Sequence, residues 1–233
     1  MSSIARHGHP FNASTAGQSL RGGHAAAQGF DAQAAWELGQ RLIGLLILIF
    51  VLPLMLLTAA AVAVQDGGPI LFRHRRIGAR GQSFYCFKFR SMRVDAQERL
   101  AELLARDPAA RLEWERSQKL RNDPRVTPLG DFLRRSSLDE LPQLFNLLRG
   151  EMNLVGPRPI VESEMIRYGA RLRHYQTVKP GITGLWQVSG RSGVGYRRRV
   201  AMDTLYAKHR TVGLDLWIIA QTIPAVLLKR GSC

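Results

Sequence analysis

The chain holds 33 Lys+Arg against 18 Asp+Glu over 233 residues, a formal net charge of +15, and 45% of its residues are hydrophobic. That apolar share excludes a wholly disordered chain; two isolated cysteines, Cys86 and Cys233, exclude a disulfide framework, show no zinc-type spacing and place the bulk of the chain in a reducing compartment. So large a positive excess calls for a polyanionic partner: nucleic acid, an anionic membrane surface, or a phosphate-rich substrate.

Residues 1–35 are rich in Gly, Ala, Ser and Gln, lack apolar periodicity and predict a flexible tail. From Leu42 to Val64 no residue is charged, and at 1.5 Å per residue the stretch would reach ~35 Å, enough for a hydrocarbon core of ~30 Å. It is too long, and starts too far into the chain, for a secretory signal. A membrane helix is therefore expected over 36–64. Pro53, near its middle, predicts a break. Arg41 precedes the apolar stretch, and Arg73, Arg75, Arg76, Arg80, Lys88, Arg90 and Arg93 follow it without an intervening acid. Positive flanks on both sides of a central proline predict a re-entrant helix with both termini on the cytoplasmic face of the inner membrane.

Residues 65–233 predict a cytoplasmic catalytic domain. Ile70 to Arg76 and Gln82 to Arg90 read as a β-hairpin around Gly78 and Gly81. Helices are expected at Asp95–Arg106, Pro108–Leu120, Leu129–Arg135, Pro142–Arg149, Val161–Tyr168, Val200–His209 and Leu214–Leu228, with a turn at Pro180-Gly181. The last helix, with Trp217 and Pro224, is too short for a span and suits either the core or the membrane interface. The fold class is α/β, predominantly α with a small β-hairpin, on a monotopic membrane helix.

Within SSLDELPQLFNLLRGEMNLVGPRP, Asp139 and Glu140 precede Pro142 and an apolar helix. Helix starts favour anions, which predicts ionised carboxylates, and Ser137 with Glu140 matches a capping box, so helix capping is the simplest role for the pair. Arg134 and Arg135 lie just before it, Gly156-Pro157-Arg158-Pro159 forms a rigid turn bearing an arginine, and Gly190-Arg191 closes a further glycine-rich stretch. Guanidinium groups suit bidentate contact with phosphate oxygens. Carboxylates among arginines on a membrane-held domain describe a site for Mg²⁺ and a diphosphate.

The segments DGGP (66–69), FKFRSM (87–92), DPRVT (123–127), LRRSSLDELPQLFNLLRGEMNLVGPRP, KPGITGLWQVSGR and MDTLYAKH followed by LDLWIIAQT occur in one order across residues 36–230. In this the chain resembles the bacterial sugar transferases, the monotopic polyprenyl-phosphate hexose-1-phosphate transferases, and is most similar to the short exopolysaccharide-initiating galactosyl-phosphate transferases of rhizobial type. The resemblance implies transfer of a hexose 1-phosphate from a UDP-hexose to undecaprenyl phosphate with release of UMP. It implies Asp139 as the nucleophile that forms an aspartyl phosphosugar, Glu140 as a second catalytic residue and the Mg²⁺ ligand, and Lys88, Arg134, Arg158 and Arg191 as substrate-binding residues. Asp203 and Asp215 also fall at family positions, supporting metal or cations. Downstream glycosyltransferases and a homo-oligomer are implied partners, and further N-terminal membrane helices, found in long relatives, are not expected. Small members break the membrane helix at Ser-Pro, whereas here Leu52 precedes Pro53.

Glucose 1-phosphate or an N-acetylated sugar phosphate would serve the same chemistry. A noncatalytic, basic, membrane-attached binding protein explains the charge and the anchor but gives the carboxylates no role. Nucleic acid is not expected as a partner, because the sequence carries no nucleic-acid-binding signature and its densest basic run adjoins the membrane segment.

Overall fold

The computed structural model describes residues 22–117, 120–190 and 195–227, and the chain divides into two compact units, one up to Leu38 and one from Gly39 onward. In the first, the described residues are helical and belong to α1 (Gly22–Asp66). The sequence predicts a tail through residue 35, yet 22–35 are part of this helix. Ala25 to Gln28 and Ala32 to Ala35 are dense in strong helix formers, which need no apolar periodicity to wind. The rest of the predicted tail, with His7 and His9, lies outside the described residues.

α1 runs uninterrupted through Pro53, where the sequence predicts a break. The proline is exposed and removes a single backbone donor, a loss that need not end a helix whose neighbouring turns keep their bonds. Among the described residues, Ala32–Asp66 is the one helix long and apolar enough to cross a membrane. It is nevertheless not apolar in one uniform environment. Gln40, Gly44, Leu48, Met55, Thr58 and Val62 recur at helical spacing and are buried. Leu48, Met55 and Val62 pack with Phe89, Leu133, Leu144, Leu147 and Leu154, a gain of roughly 1.5–3 kcal/mol for each large side chain removed from water. Leu46, Ile49, Phe50, Leu56, Leu57 and Val64 on the remaining surface stay exposed.

Gly67 and Gly68, with φ of 66° and 72°, turn the chain out of α1. The buried Arg90 guanidinium closes this corner by donating to the Val62 carbonyl at 3.3 Å, the Asp66 carboxylate and the Gly67 carbonyl. β1 (Leu71–Ile77) and β2 (Ser83–Phe89) then form the expected antiparallel hairpin, in register from Leu71 opposite Phe89 to Ile77 opposite Ser83. Side chains alternate between the faces of a strand. One face of the hairpin therefore carries His74, Arg76, Phe84, Cys86 and Lys88 together.

α2 (Ala96–Arg106) and α3 (Pro108–Ser117) follow. α4 (Pro128–Ser136) starts at Thr127, whose hydroxyl accepts from Gly130 N at 2.8 Å, with Pro128 in the first turn. Gly130 lies so close to the Ser91 carbonyl that a Cβ there would collide with it, so α4 is seated directly on the chain leaving β2. α5 (Gln143–Leu148) leads to β3 (Asn153–Val155). The short helices α6 (Met165–Tyr168) and α7 (Leu172–Tyr175) precede β4 (Gly181–Thr183). β3 and β4 pair in parallel, Asn153 opposite Gly181 and Val155 opposite Thr183. This pair, α7 and α8 (Leu185–Val188) were not anticipated, and Gly181, expected in a turn, opens a strand.

α9 (Tyr196–His209) and α10 (Val212–Leu227) close the described chain. α10 divides its faces: Asp215 and Ile218 are fully buried, while Leu216, Trp217 and Ile223 are exposed. The buried face meets the expected core placement, and the exposed apolar face is free of protein contacts that would bury it. The fold is mostly helical, with the small hairpin and the long apolar N-terminal helix.

Candidate active site

Helix α4 ends at Ser137, a non-glycine residue in the left-handed region with φ of 60°, and the chain turns through a single 3₁₀ turn, Leu138–Glu140, before α5. The turn aims Asp139 into the protein and Glu140 toward the hairpin. The expected capping box does not form. Ser137 makes no side-chain cap bond, and Glu140 Oε1 instead accepts from Lys88 Nζ at 2.5 Å, with Lys88 Nζ 3.8 Å from Asp139 Oδ2. A partly buried ammonium is a stronger partner for a carboxylate than a backbone amide, so the ion pair wins.

Two contacts hold Lys88 at this distance. The hairpin register sets its direction, and Asn146 on α5 sets its depth. Asn146 is fully buried; its Oδ1 accepts from Phe87 N at 3.0 Å and its Nδ2 donates to the Tyr85 carbonyl at 2.7 Å. The amide thus serves as a surrogate strand on β2, one residue from Lys88, and Glu151 Oε2 at 2.6 Å from Nδ2 fixes it in turn.

Arg158 reaches the same place from the parallel pair. Gly156 N donates to the Thr183 carbonyl and Gly181 N to the Pro157 carbonyl, each at 2.9 Å. Gly156, Gly181 and Gly184 pack backbone to backbone, with no space for a Cβ at any of the three. The GPRP turn is thereby clamped on β4 and α8. A narrow, half-open cleft results, lined by Arg76, Cys86, Lys88, Glu140, Gln143, Arg158, Pro159, Gly181, Ile182 and Gln187.

Electrostatics separate the two acids. Burial pushes the Asp139 carboxyl above its ordinary value, against the pull of Lys88 and helped by Glu140. The direction is opposite to the one expected for a helix-start carboxylate. Burial acts the same way on Glu140, but Lys88 and then Arg158 outweigh it and hold the group below its ordinary value. The Cys86 thiol on the cleft wall is pushed up by burial despite Lys88 and Arg76, which keeps it protonated and unreactive.

Of the residues singled out in the sequence, Lys88, Glu140 and Arg158 meet in the cleft and Asp139 is buried beside them. Arg134 is exposed at the adjoining end of α4, its Nε donating to Ser91 Oγ at 2.8 Å. Arg191 lies outside the described residues. Asp203 and Asp215 do not line the cleft. Asp203, 2% exposed within α9, accepts from Tyr168 Oη at 2.6 Å beside Arg199. Asp215, fully buried in α10, accepts from Tyr206 Oη at 2.7 Å. Asp203 is in mid-helix, and Thr211 accepts from Leu214 N at 3.2 Å at the start of α10. The cleft residues Arg76 and Gln187 were not singled out. Arg76 sits in the basic run after the membrane helix, where only the hairpin register distinguishes it from its solvent-facing neighbours.

No group of three or more His, Cys, Asp or Glu side chains able to hold a metal occurs among the described residues. A cation held here would have one or two carboxylate ligands. That suits Mg²⁺, which keeps several waters and takes remaining ligands from substrate phosphates, and does not suit a metal that needs an all-protein cage.

The family model described as bacterial sugar transferase matches residues 33–229. The undecaprenyl-phosphate galactose phosphotransferase of Salmonella typhimurium is 52% identical over 188 residues, covering 81% of this chain and 39% of that protein. The exopolysaccharide production protein ExoY of Sinorhizobium fredii is 51% identical over 191 residues, covering 82% of this chain and 84% of that protein. The UDP-glucose:undecaprenyl-phosphate glucose-1-phosphate transferase of Xanthomonas campestris pv. campestris is 40% identical, over 85% of this chain and 40% of that protein. With its family model matched over most of its length and relatives about 50% identical over four fifths of it, the chain belongs to the bacterial sugar transferase family, and it is a transferase enzyme.

Proposed function

We propose that this chain transfers a hexose 1-phosphate, galactose 1-phosphate in the first instance, from a UDP-sugar to undecaprenyl phosphate, releasing UMP and starting an exopolysaccharide or another surface glycan. The observation that carries the reading is the paired carboxylates Asp139 and Glu140 sharing one ammonium, Lys88, with Glu140 and Lys88 lining a cleft together with Arg76 and Arg158 and Asp139 buried beside it. Donor and acceptor are both anions, so a displacement between them needs cations to offset their repulsion and a nucleophile that divides the reaction in two.

In the first step an Asp139 carboxylate oxygen attacks the phosphorus bearing the sugar; the bond to the UMP oxygen breaks and UMP leaves. In the second, an oxygen of undecaprenyl phosphate attacks the acyl phosphate, the new P–O bond forms, and the Asp139 carboxylate is regenerated. Asp139 is the less tightly paired acid, 3.8 Å from Lys88 against 2.5 Å for Glu140, which supports its assignment as the nucleophile. Glu140, held anionic by Lys88 and Arg158, is the residue to hold Mg²⁺. A bound Mg²⁺ neutralises charge on the diphosphate and the departing UMP. Lys88, Arg76 and Arg158 bind phosphate oxygens, Arg134 the edge of the substrate.

Galactose is favoured because the Salmonella galactose phosphotransferase is 52% identical to this chain and the Xanthomonas glucose-1-phosphate transferase 40%. For the membrane helix, buried positions run from Gln40 to Val62, ~33 Å of helix at 1.5 Å per residue. A helix accompanied by its domain over a length comparable to the bilayer core supports a monotopic attachment on the cytoplasmic face over a free span. The test of the reaction is UMP release from UDP-galactose by detergent-solubilised protein. Continuous release is expected to depend on undecaprenyl phosphate, with no more than one UMP per enzyme in its absence, to depend on Mg²⁺, and to be lost in Asp139→Asn; release from UDP-glucose alone would replace the sugar, and none from any UDP-sugar would overturn the reading.

A further inference from the structure

We propose that Gln187 is a substrate-binding residue of this cleft, whose side-chain carbonyl accepts a hydrogen bond from the non-phosphate part of the sugar nucleotide, from uridine or from the hexose. The inference rests on the sugar-nucleotide reading above.

Gln187 lines the cleft from α8. Its Oε1 is buried and accepts from no protein group, an arrangement that native proteins avoid unless something else supplies the donor. The charged partners around it cannot explain the carbonyl by serving phosphate. Arg76, Lys88 and Arg158 are donors only, and the diphosphate of a nucleotide sugar offers acceptors only, so those two sets satisfy each other. An acceptor in the same wall is matched instead by groups that carry a proton: the imide N–H of uracil or a hydroxyl of a sugar. Glu140 Oε1, an acceptor on the cleft, is already engaged by Lys88.

The position of the amide is built into the fold. A Cβ on Gly184 would come within 2.9 Å of Gln187 Oε1 and would meet the Gly156 carbonyl as well. Only a residue without a side chain lets α8 lie against the turn that presents Arg158, two residues beyond Gly156, with the Gln187 carbonyl over it. The distance between the phosphate-binding guanidinium and the neutral acceptor is therefore set by a backbone contact, which is what reading a substrate of fixed length requires.

The test uses the full chain in detergent and compares wild type with Gln187→Met, which keeps the length and removes the amide, and Gln187→Asn, which withdraws the amide by one methylene. Three quantities are measured: KM and kcat for UDP-galactose, the ratio of kcat/KM for UDP-galactose over UDP-glucose, and equilibrium binding of UMP, which needs no turnover. Loss of one neutral hydrogen bond is expected to raise KM roughly tenfold in Gln187→Met, with a smaller change in kcat and a lesser rise in Gln187→Asn. UMP binding weakened in parallel assigns the donor to uridine; unchanged UMP binding with an altered sugar ratio assigns it to the hexose. Unchanged KM, sugar ratio and UMP binding in both variants of an active enzyme would overturn the proposal. Absence of turnover by the wild type would overturn the sugar-nucleotide reading instead.

Discussion

The Lys88 ammonium stands 2.5 Å from Glu140 Oε1 and 3.8 Å from Asp139 Oδ2, so one cation is divided unequally between two adjacent acids. The division gives the pair distinct electrostatic characters from identical functional groups. Glu140 is held below its ordinary carboxylate range and Asp139 rises above it, and Lys88 is the largest force opposing burial at both.

Replacing Lys88 by Met leaves burial unopposed by that charge, so both carboxyls are expected to rise. The acid limb of the kcat/KM profile should move to higher pH, and activity near pH 7 should fall by roughly 10- to 100-fold, the worth of a charge-assisted hydrogen bond. A pH series on wild type and Lys88→Met reads both effects. An unshifted acid limb would mean that neither acid depends on Lys88.

Asn146→Ala removes the bracket on the β2 edge and leaves Phe87 N and the Tyr85 carbonyl without their partner. A loss of about 1–3 kcal/mol is expected in denaturant unfolding, from two partly buried backbone groups left unpaired. Because Lys88 follows Phe87, kcat should fall as well. A stability change without loss of kcat would show that the bracket holds the strand and not the lysine.

Asp203 offers a pH test outside the cleft. Burial, against the Tyr168 hydrogen bond and Arg199, pushes its carboxyl up to about 6 from 3.8. Over that interval the unfolded chain releases this proton and the folded chain keeps it, so the group's contribution to stability falls as pH rises from about 4 to about 6. Asp203→Asn removes the titration. The stability of the variant relative to wild type should rise across that window and level off above it. A constant difference from pH 4 to pH 7 would place the Asp203 carboxyl in its ordinary range.

Arg90 joins the end of α1 to β2 through the Val62 and Gly67 carbonyls and the Asp66 carboxylate. Arg90→Met is expected to release this corner, and limited proteolysis between Asp66 and Pro69 should accelerate several-fold. Cleavage at the wild-type rate would show that the packed stripe of α1 holds the corner unaided.

The hairpin was legible because its two strands alternate and its glycine turn is local, so Lys88 could be placed at a strand end from sequence. Asp139, Glu140 and Arg158 were legible as residue types around turns and through the family resemblance. What escaped depended on distant pairing. β3 and β4 have three residues each, too few to show a period, and join segments separated by two helices. Pro180-Gly181 resembles a turn because the glycine is there for another purpose, a backbone contact with Gly156. Arg76 could not be told from Arg73 and Arg75 without the register, and Gln187 is one amide in a short helix. Asp203 and Asp215 were legible as family positions, but their burial against the Tyr168 and Tyr206 hydroxyls, away from the cleft lining, depends on helix packing that a one-letter pattern does not carry.

The central claim is that Asp139 carries the sugar phosphate. Incubating the protein with UDP-galactose in the absence of undecaprenyl phosphate, then digesting it and weighing the peptides, tests this most directly. The expected result is one hexose phosphate on the peptide containing Asp139, absent from Asp139→Asn and discharged when undecaprenyl phosphate is added. An adduct on another residue, or UMP release by Asp139→Asn at the wild-type rate, would contradict it.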